Sequence, residues 1–538
     1  MAKKIPTMGP VRANLEAFGV AILAAVLLKW FCLEAYQIPT SSMQPTLMGS
    51  SEAEVYDRIL VDKILPTFRE PQRWDVTVFQ YPLQKNQNYV KRIVGMPNDR
   101  LHIAGGNVYL VTDQGGQRSY APLRKPADLQ EEMWKNVYPA RALVRGDGKV
   151  LGESWSGSPT RAFREDADGF EVKLEGSLTR LYFRDTKDGG FVDRVWDGYP
   201  TDVAVAIRNK VPHTMTQEIV VDARLAADIT VSDAAAAVAF EIDVSRPGRD
   251  KWTYALAIAG GKARLQVRAK DSQVLAESAE FDCPLPAGTA VPLAFAHVDD
   301  MLLAWRDGEE LMRLDTAEWA CREGCVIADG SVATPQQSVV PQITFKGSGT
   351  ARIAALRLDR DQHYTRDQSD EVVEVPEGHY YMMGDNTLQS IDSRGWTAIS
   401  VGVLDGKVVP PNTPGARIVR GNKRPMNLAE KPDRDETPIA IPSENAIVMI
   451  DEFGEILRLE GQPGLNWGPP AGGGPAVVSF KNPDGEGEWI APEVRNASGV
   501  SFVRRQDIQG RALMVFYPSR PISWLTRNAW PNRFGFVR

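Results

Sequence analysis

The sequence predicts a mainly β protein: an antiparallel β core preceded by one N-terminal transmembrane helix and interrupted by an inserted β-sandwich. Three observations lead there. One apolar run lies near the N-terminus, two distant strand-and-turn segments are dense in polar residues, and a long stretch between them alternates apolar with polar residues. At 538 residues the chain exceeds what one hydrophobic core organises, so two or three domains are expected. A net charge of -7 offers no basic field for a phosphate backbone, which sets nucleic acid aside as a partner.

The helix comes first. Ala17 to Leu33 reads AFGVAILAAVLLKWFCL, about 17 mostly apolar residues interrupted by Lys29 and near the lower limit for crossing a bilayer. Lys29 can snorkel and Trp30 suits an interface; Lys3, Lys4 and Arg12 precede the run and place the N-terminus in the cytoplasm. No pair of small residues closes the run before Glu34 and Tyr36, which argues for an uncleaved anchor rather than a removed signal. The expected layout is a cytoplasmic tail over 1–14 and a transmembrane helix over 15–36, with everything beyond on the far side of the bilayer.

Cysteine and histidine chemistry is thin. Four cysteines are too few for a disulfide framework; Cys32 sits in the apolar run, and Cys321 and Cys325 are the pair whose bridging the sequence leaves open. The five histidines, at 102, 213, 297, 363 and 379, are scattered singly, so neither a metal nor another cofactor is expected.

Chemistry concentrates in three segments. Directly after the anchor, Gln37 to Leu47 holds Pro39, Thr40, Ser41, Ser42, Met43, Gln44, Pro45 and Thr46, a hydroxyl-rich run that cannot continue a helix. Further on, Lys91 lies in a strand between Tyr89, Val90, Ile93 and Val94 and ahead of a turn at Gly95 to Asp99. The third segment, Tyr381 to Trp396, packs Gly384, Asp385, Asn386, Ser390, Asp392, Ser393 and Arg394 behind an apolar strand. Taken singly, each has an ordinary explanation: turn chemistry, a solvated edge lysine, a surface ion pair. A desolvated Lys91 amine, neutral near pH 7, is the alternative that gives the first segment a base.

In this order, behind an anchor, the segments resemble the boxes of bacterial type I signal peptidases. The family's serine box P-[ST]-x-S-M-x-P-T-L matches Pro39 to Leu47, and its lysine box K-R-x-x-G-x-P-G-D matches Lys91 to Asp99. Arg73 to Phe79 resembles the strand RGDIVVF, and the late GDN...S.DSR.W box matches Gly384, Asp385, Asn386, Ser390, Asp392, Ser393, Arg394 and Trp396. Ser41, Trp74 and Asn98 stand where the family usually has glycine, and Thr387-Leu388 where Arg-Asp is common.

The resemblance implies a serine endopeptidase that removes N-terminal signal peptides from translocated preproteins. Ser42 would attack the scissile carbonyl, Lys91 would take its proton, and an acyl-enzyme would follow. The Ser42 N–H and the Thr40 hydroxyl would hold the oxyanion. Ser390 resembles the serine that orients the lysine, with Asp392 and Arg394 as a supporting ion pair and Gly384 beside them. Implied partners are the lipid bilayer and signal peptides with small residues before the cleavage site. The implied location is the bacterial inner membrane, single-pass, with the catalytic domain on the extracytoplasmic side. No serine fits G-x-S-x-G and no H-E-x-x-H occurs.

The remaining chain is assigned as core over 37–110, insertion over 111–370 with a sandwich at about 200–362, core over 371–409, linker and second insertion over 410–500, and a final core strand and tail over 501–538. Hairpin turns are expected at Gly260-Gly261 and Asp307-Gly308. The sandwich resembles laminin-G or concanavalin-like domains, in which a sheet face binds glycans or proteins; no residue here names its ligand, and a spacer serves equally. The other reading of the chain is therefore a membrane-tethered β-sandwich binding protein with an inactive peptidase core. Two segments compete for the family's G-[KR]-A strand, Leu404 to Val409 and Ile508 to Tyr517; the second has the apolar run a buried strand needs.

Overall fold

The computed structural model describes residues 10–537 apart from 28, 30–31, 52–54, 116, 139–152, 167, 188–189, 193–194, 196–218, 246–250, 270, 318–337, 366–371, 388, 424–438, 452–454, 463–477, 483–486, 495–499 and 518–534. Cys321 and Cys325 lie outside the described residues, as does much of the expected linker and second insertion over 410–500. The protein is mainly β. Its described residues form two compact units, one from the chain up to Asp99 and from Glu374 onward, the other from Arg100–Val373.

In the first unit, helix α1 covers Pro10–Leu27. Pro10 at its first turn is pre-set for helical φ and loses no hydrogen bond there. Leu15, Phe18, Val20, Ile22, Leu23, Val26 and Leu27 are all exposed. Among the described residues no helix is long and apolar enough to cross a membrane. The helix also starts and stops earlier than the expected 15–36: Leu33–Gln37 is a strand, β1, paired with β2 (Arg58–Asp62) from Leu33 opposite Asp62 to Gln37 opposite Arg58. Glu34 takes Lys63 as a partner at 3.2 Å, a contact available beside a sheet and not in lipid.

The core sheet adds β3 (Val76–Tyr81), β4 (Gln84–Gly95), β5 (His379–Met383), β6 (Val503–Arg504), β7 (Ile508–Tyr517) and β8 (Gly535–Phe536). Their order is β1-β2-β7-β3-β4-β5-β6, with β8 on β7, and every pairing is antiparallel. Strand β7, last but one in the sequence, thus lies between β2 and β3. A Cβ on Gly510 would come 2.5 Å from Val61 Cγ1 and 2.6 Å from Asp62 O, so only glycine admits β2 this close. The next residue, Arg511, places Nε 3.0 Å from Asp75. The rival segment is a hairpin of Ala398–Leu404 and Lys407–Val409 in a separate sheet whose core includes Ile399, Val401, Val408, Ile447 and Phe480.

The second unit opens with a meander of Arg100–Ala104, Asn107–Gln114 and Gln117–Pro122 and closes over a two-sheet sandwich. Phe240, Leu265, Ile343 and Phe345 from one sheet meet Leu225, Phe295, Leu302 and Leu358 from the other in one core. The sandwich takes in strands well before residue 200, among them Glu153–Ser158, Gly169–Glu175 and Thr179–Lys187. Gly260, Gly261, Asp307 and Gly308 all have positive φ, the conformation that tight hairpin turns between right-twisted strands require. At the root of the unit the chain's exit and return are joined: Asn98 N donates to Val375 O at 3.0 Å and Val375 N to Asp99 O at 2.8 Å.

Candidate functional site

The serine segment is fixed at both ends by apolar side chains. From β1 the chain passes Ile38, whose N donates to Asp57 O at 2.9 Å, and makes a single 3-10 turn over Ser41–Met43. Met43 and Leu47 are fully buried against Ile59, Val61, Val76, Val78 and Ala512, which holds the turn on the sheet. The peptide between Gln44 and Pro45 is cis. A Cβ on Gly49 would lie 2.5 Å from both Ile38 O and Thr40 O, so this glycine lets the returning chain lie directly on the serine turn. The result leaves Ser42 half-buried and Thr40 exposed, with their hydroxyl oxygens 3.5 Å apart.

Lys91 sits mid-strand on β4, opposite Thr77 of β3, and is 3% exposed. Its Nζ donates to Ser42 Oγ. A buried ammonium loses its hydration, so this contact with a hydroxyl is the kind of place where a lysine can serve as a base. The structure therefore brings together the two residues that lie 49 positions apart in sequence.

The third segment wraps this pair from behind. Asp392 is completely buried and accepts from Ser390 Oγ at 2.7 Å, Gly384 N at 2.9 Å and both Nε and Nη2 of Arg394 at 2.8 and 2.6 Å. Burial pushes its carboxyl up, but the Arg394 guanidinium, aided by Lys91 and the Gly384 amide, holds it below the ordinary 3.8. Gly384 has no room for a side chain: a Cβ would lie 2.2 Å from Ser390 Oγ and 2.4 Å from Ser42 O. Ser393 exchanges hydrogen bonds with Met382, and Trp396 is buried among Phe79, Tyr81 and Tyr89, which fixes the segment to the sheet.

Two sets of contacts were not assigned roles from the sequence. Arg92, next to Lys91, makes a bidentate pair with Asp385 at 2.8 and 2.7 Å, and both side chains are 1% exposed. Arg92 also donates to Trp74 O at 2.7 Å, and Thr46 donates to Asp385, so strand, serine turn and late segment share one buried ion pair. Asn386 clamps the serine turn, with N donating to Ser42 O at 3.1 Å and Nδ2 to Ser41 O at 2.9 Å; Ser41 Oγ reaches Gln389 at 3.2 Å. The sequence signal for Arg92, Asp385, Asn386, Ser41 and Thr46 was membership of the three boxes, which marked these residues without giving them a role.

Trp74 and Asn98, two of the departures from family glycines, have φ of 76° and 68°. The backbone keeps the left-handed conformation glycine favours and imposes it on larger residues. Of carboxylates close enough to share a cation, the described residues offer Asp222, Asp299 and Asp361 in the second unit. Lys125 Nζ lies 2.8 Å from Asp299 and 2.9 Å from Asp361, so an ammonium already holds that position.

Comparison with known proteins places these observations. The family model described as "Signal peptidase, peptidase S26" matches residues 11–149 and 334–411. Signal peptidase I of Aquifex aeolicus is 35% identical over 215 residues, covering 36% of this chain and 80% of that one. That of Leptolyngbya laminosa is 32% identical over 149 residues, 26% of this chain and 68% of the other. For Pseudomonas fluorescens the identity is 34% over 159 residues, and the match spans only 54% of the relative's length.

Proposed function

This chain belongs to the signal peptidase family, peptidase S26, and on that premise we propose that it is a membrane-anchored endopeptidase cutting signal peptides from translocated preproteins with Ser42 as nucleophile and Lys91 as base. The observation that carries the reading is the hydrogen bond between the buried Lys91 amine and Ser42 Oγ. With the amine neutral the bond runs in the opposite sense, the hydroxyl donating to the nitrogen lone pair. Ser42 Oγ then attacks the scissile carbonyl as its proton passes to Lys91 Nζ. The ammonium returns that proton to the leaving amine, which departs as the C–N bond breaks and leaves an ester on Ser42. A water molecule deprotonated by the same lysine hydrolyses the ester and restores both groups.

The Ser42 N–H and the exposed Thr40 hydroxyl are the proposed oxyanion donors, in keeping with their position at the mouth of the turn. Asp392, paired with Arg394 and bonded to Ser390, keeps a fixed negative charge near Lys91 that stabilises the ammonium formed in the attack. The apolar, exposed side chains of α1 fit a lipid environment, with the N-terminus cytoplasmic and the core on the extracytoplasmic side of the inner membrane. The substrates proposed are preproteins with small residues before the cleaved bond.

Preprotein cleavage by purified variants tests the dyad. Ser42→Ala, Lys91→Ala and Lys91→Arg should each lose at least about a thousandfold in kcat, the arginine included because guanidinium does not deprotonate. Retained activity in any of the three removes the dyad.

A further inference from the structure

The peptide that joins Ser41 to Ser42 carries a proposed oxyanion donor and also the handle that aims it. In a planar trans peptide the carbonyl and the N–H point in opposite directions, so holding one fixes the other. Here the Ser41 carbonyl is held twice, accepting from Asn386 Nδ2 at 2.9 Å and from Gln44 N at 3.1 Å. The following carbonyl, Ser42 O, accepts from Asn386 N at 3.1 Å. One asparagine therefore grips the peptides on both sides of the nucleophile. The Ser42 N–H is left directed away from the Asn386 amide, with no acceptor among the described residues.

The grip is only as firm as the loop that carries Asn386. Gln389 N donates to Asn386 O at 3.0 Å, closing a tight turn, and Ser390 Oγ is anchored on Asp392 at 2.7 Å. A side-chain bond ties this loop back to the serine turn: Ser41 Oγ donates to Gln389 Oε1 at 3.2 Å, both residues half-buried. The bonds close a ring, from the Ser41 carbonyl to Asn386, from Asn386 to Gln389, and from Gln389 to the Ser41 hydroxyl. Ser41 stands where the family usually has glycine, and Thr387-Leu388 inside the ring stand where Arg-Asp is common. Glycine has no hydroxyl to donate, so the closing bond belongs to this chain's departures from the family pattern.

We propose that Ser41 and Gln389 are a positioning pair that holds the Ser41–Ser42 peptide plane, and with it the Ser42 N–H, in the orientation that receives the oxyanion. This rests on the reading of Ser42 as the nucleophile. The pair acts through the peptide plane rather than on the substrate. A neutral hydrogen bond of this kind is worth roughly three- to tenfold in an equilibrium, whereas outright loss of an oxyanion donor costs about 10²–10³-fold in rate. The pair therefore sharpens the donor's aim and does not supply it.

The test compares the full chain in detergent micelles with Ser41→Ala, Gln389→Ala and the double variant, using a soluble peptide substrate and a peptide boronic acid that ends in the same small residues. The boronic acid bonds through boron to a serine oxygen and sets a negatively charged tetrahedral centre where the intermediate forms. Each single variant should lose roughly three- to tenfold in kcat and the same factor in boronate affinity, with KM within about twofold and the pH profile of kcat unmoved. The double variant should match the worse single, since one bond is lost only once. Should Ser41→Ala fail to fold, Gln389→Ala reads the same bond alone. Single variants at full kcat, losses that multiply in the double variant, a change carried by KM, or a displaced pH profile each overturn the pair and leave the dyad standing. Boronate bound as tightly by Ser42→Ala as by the unaltered chain overturns the nucleophile and the pair together.

Discussion

At Gly384 a single hydrogen separates a working site from a steric clash. Alanine there drives a methyl into Ser390 Oγ and the Ser42 carbonyl at once, and the second of these is backbone that cannot rotate away. Gly384→Ala is expected to cost about 1–3 kcal/mol in stability and more than about tenfold in kcat, read by thermal unfolding and peptide cleavage. Asp392→Asn leaves Arg394 buried without its charge partner and is expected to cost about 3–5 kcal/mol at neutral pH. Because the folded pKa of Asp392 lies below its ordinary 3.8, the carboxylate's contribution is complete above that value and is lost as pH falls through the depressed one. The stability gap between the two proteins should accordingly be full at pH 7 and narrow below about pH 4, as urea unfolding across pH would record. Ser42 and Lys91 were legible in the sequence only through the order of the boxes around them. The pairing of Arg92 with Asp385 was not, because two charged residues 293 positions apart look like separate surface groups until folding buries them face to face.

Among elements, the serine turn depends on strands it does not touch in sequence. Strand β7 inserts between β2 and β3, and Met43 and Leu47 pack on side chains from all of these neighbours, including Ala512. Gly510→Ala should therefore push β7 from β2 and lower stability by about 2–3 kcal/mol, with Ser42 labelling by an acylating probe slowed in proportion to the displacement. Elements at this scale were partly legible. The apolar run of Ile508 to Tyr517 marked a buried strand, and paired glycine or Asp-Gly turns marked the sandwich hairpins. The end of the first helix was misplaced because hydropathy does not register where Glu34 and Tyr36 begin to alternate along a strand. The sandwich strands before residue 200 were passed over although Gly169–Glu175 alternates buried and exposed residues; the sandwich was assigned only from about 200.

For the whole molecule, the bonds joining Asn98 and Asp99 to Val375 mean that the second unit leaves and re-enters the first through adjacent backbones. Replacing 100–373 by a short Gly-Ser loop is expected to leave soluble-peptide cleavage within about threefold, since the closure it requires already exists in the native chain. Loss of folding in that deletion would show that the peptidase unit leans on its insertion. The sheet order carries a further consequence, one of time. Lys91 and Ser390 are 299 positions apart, and β7 comes later still. At about 5–20 residues per second, roughly 15–60 s of translation separate the lysine from the loop that closes around it. Throughout that interval the nascent chain holds Ser42 and Lys91 without the sheet that buries Lys91, so under the proposed dyad its own growth delays the onset of proteolysis until the last core strands are made.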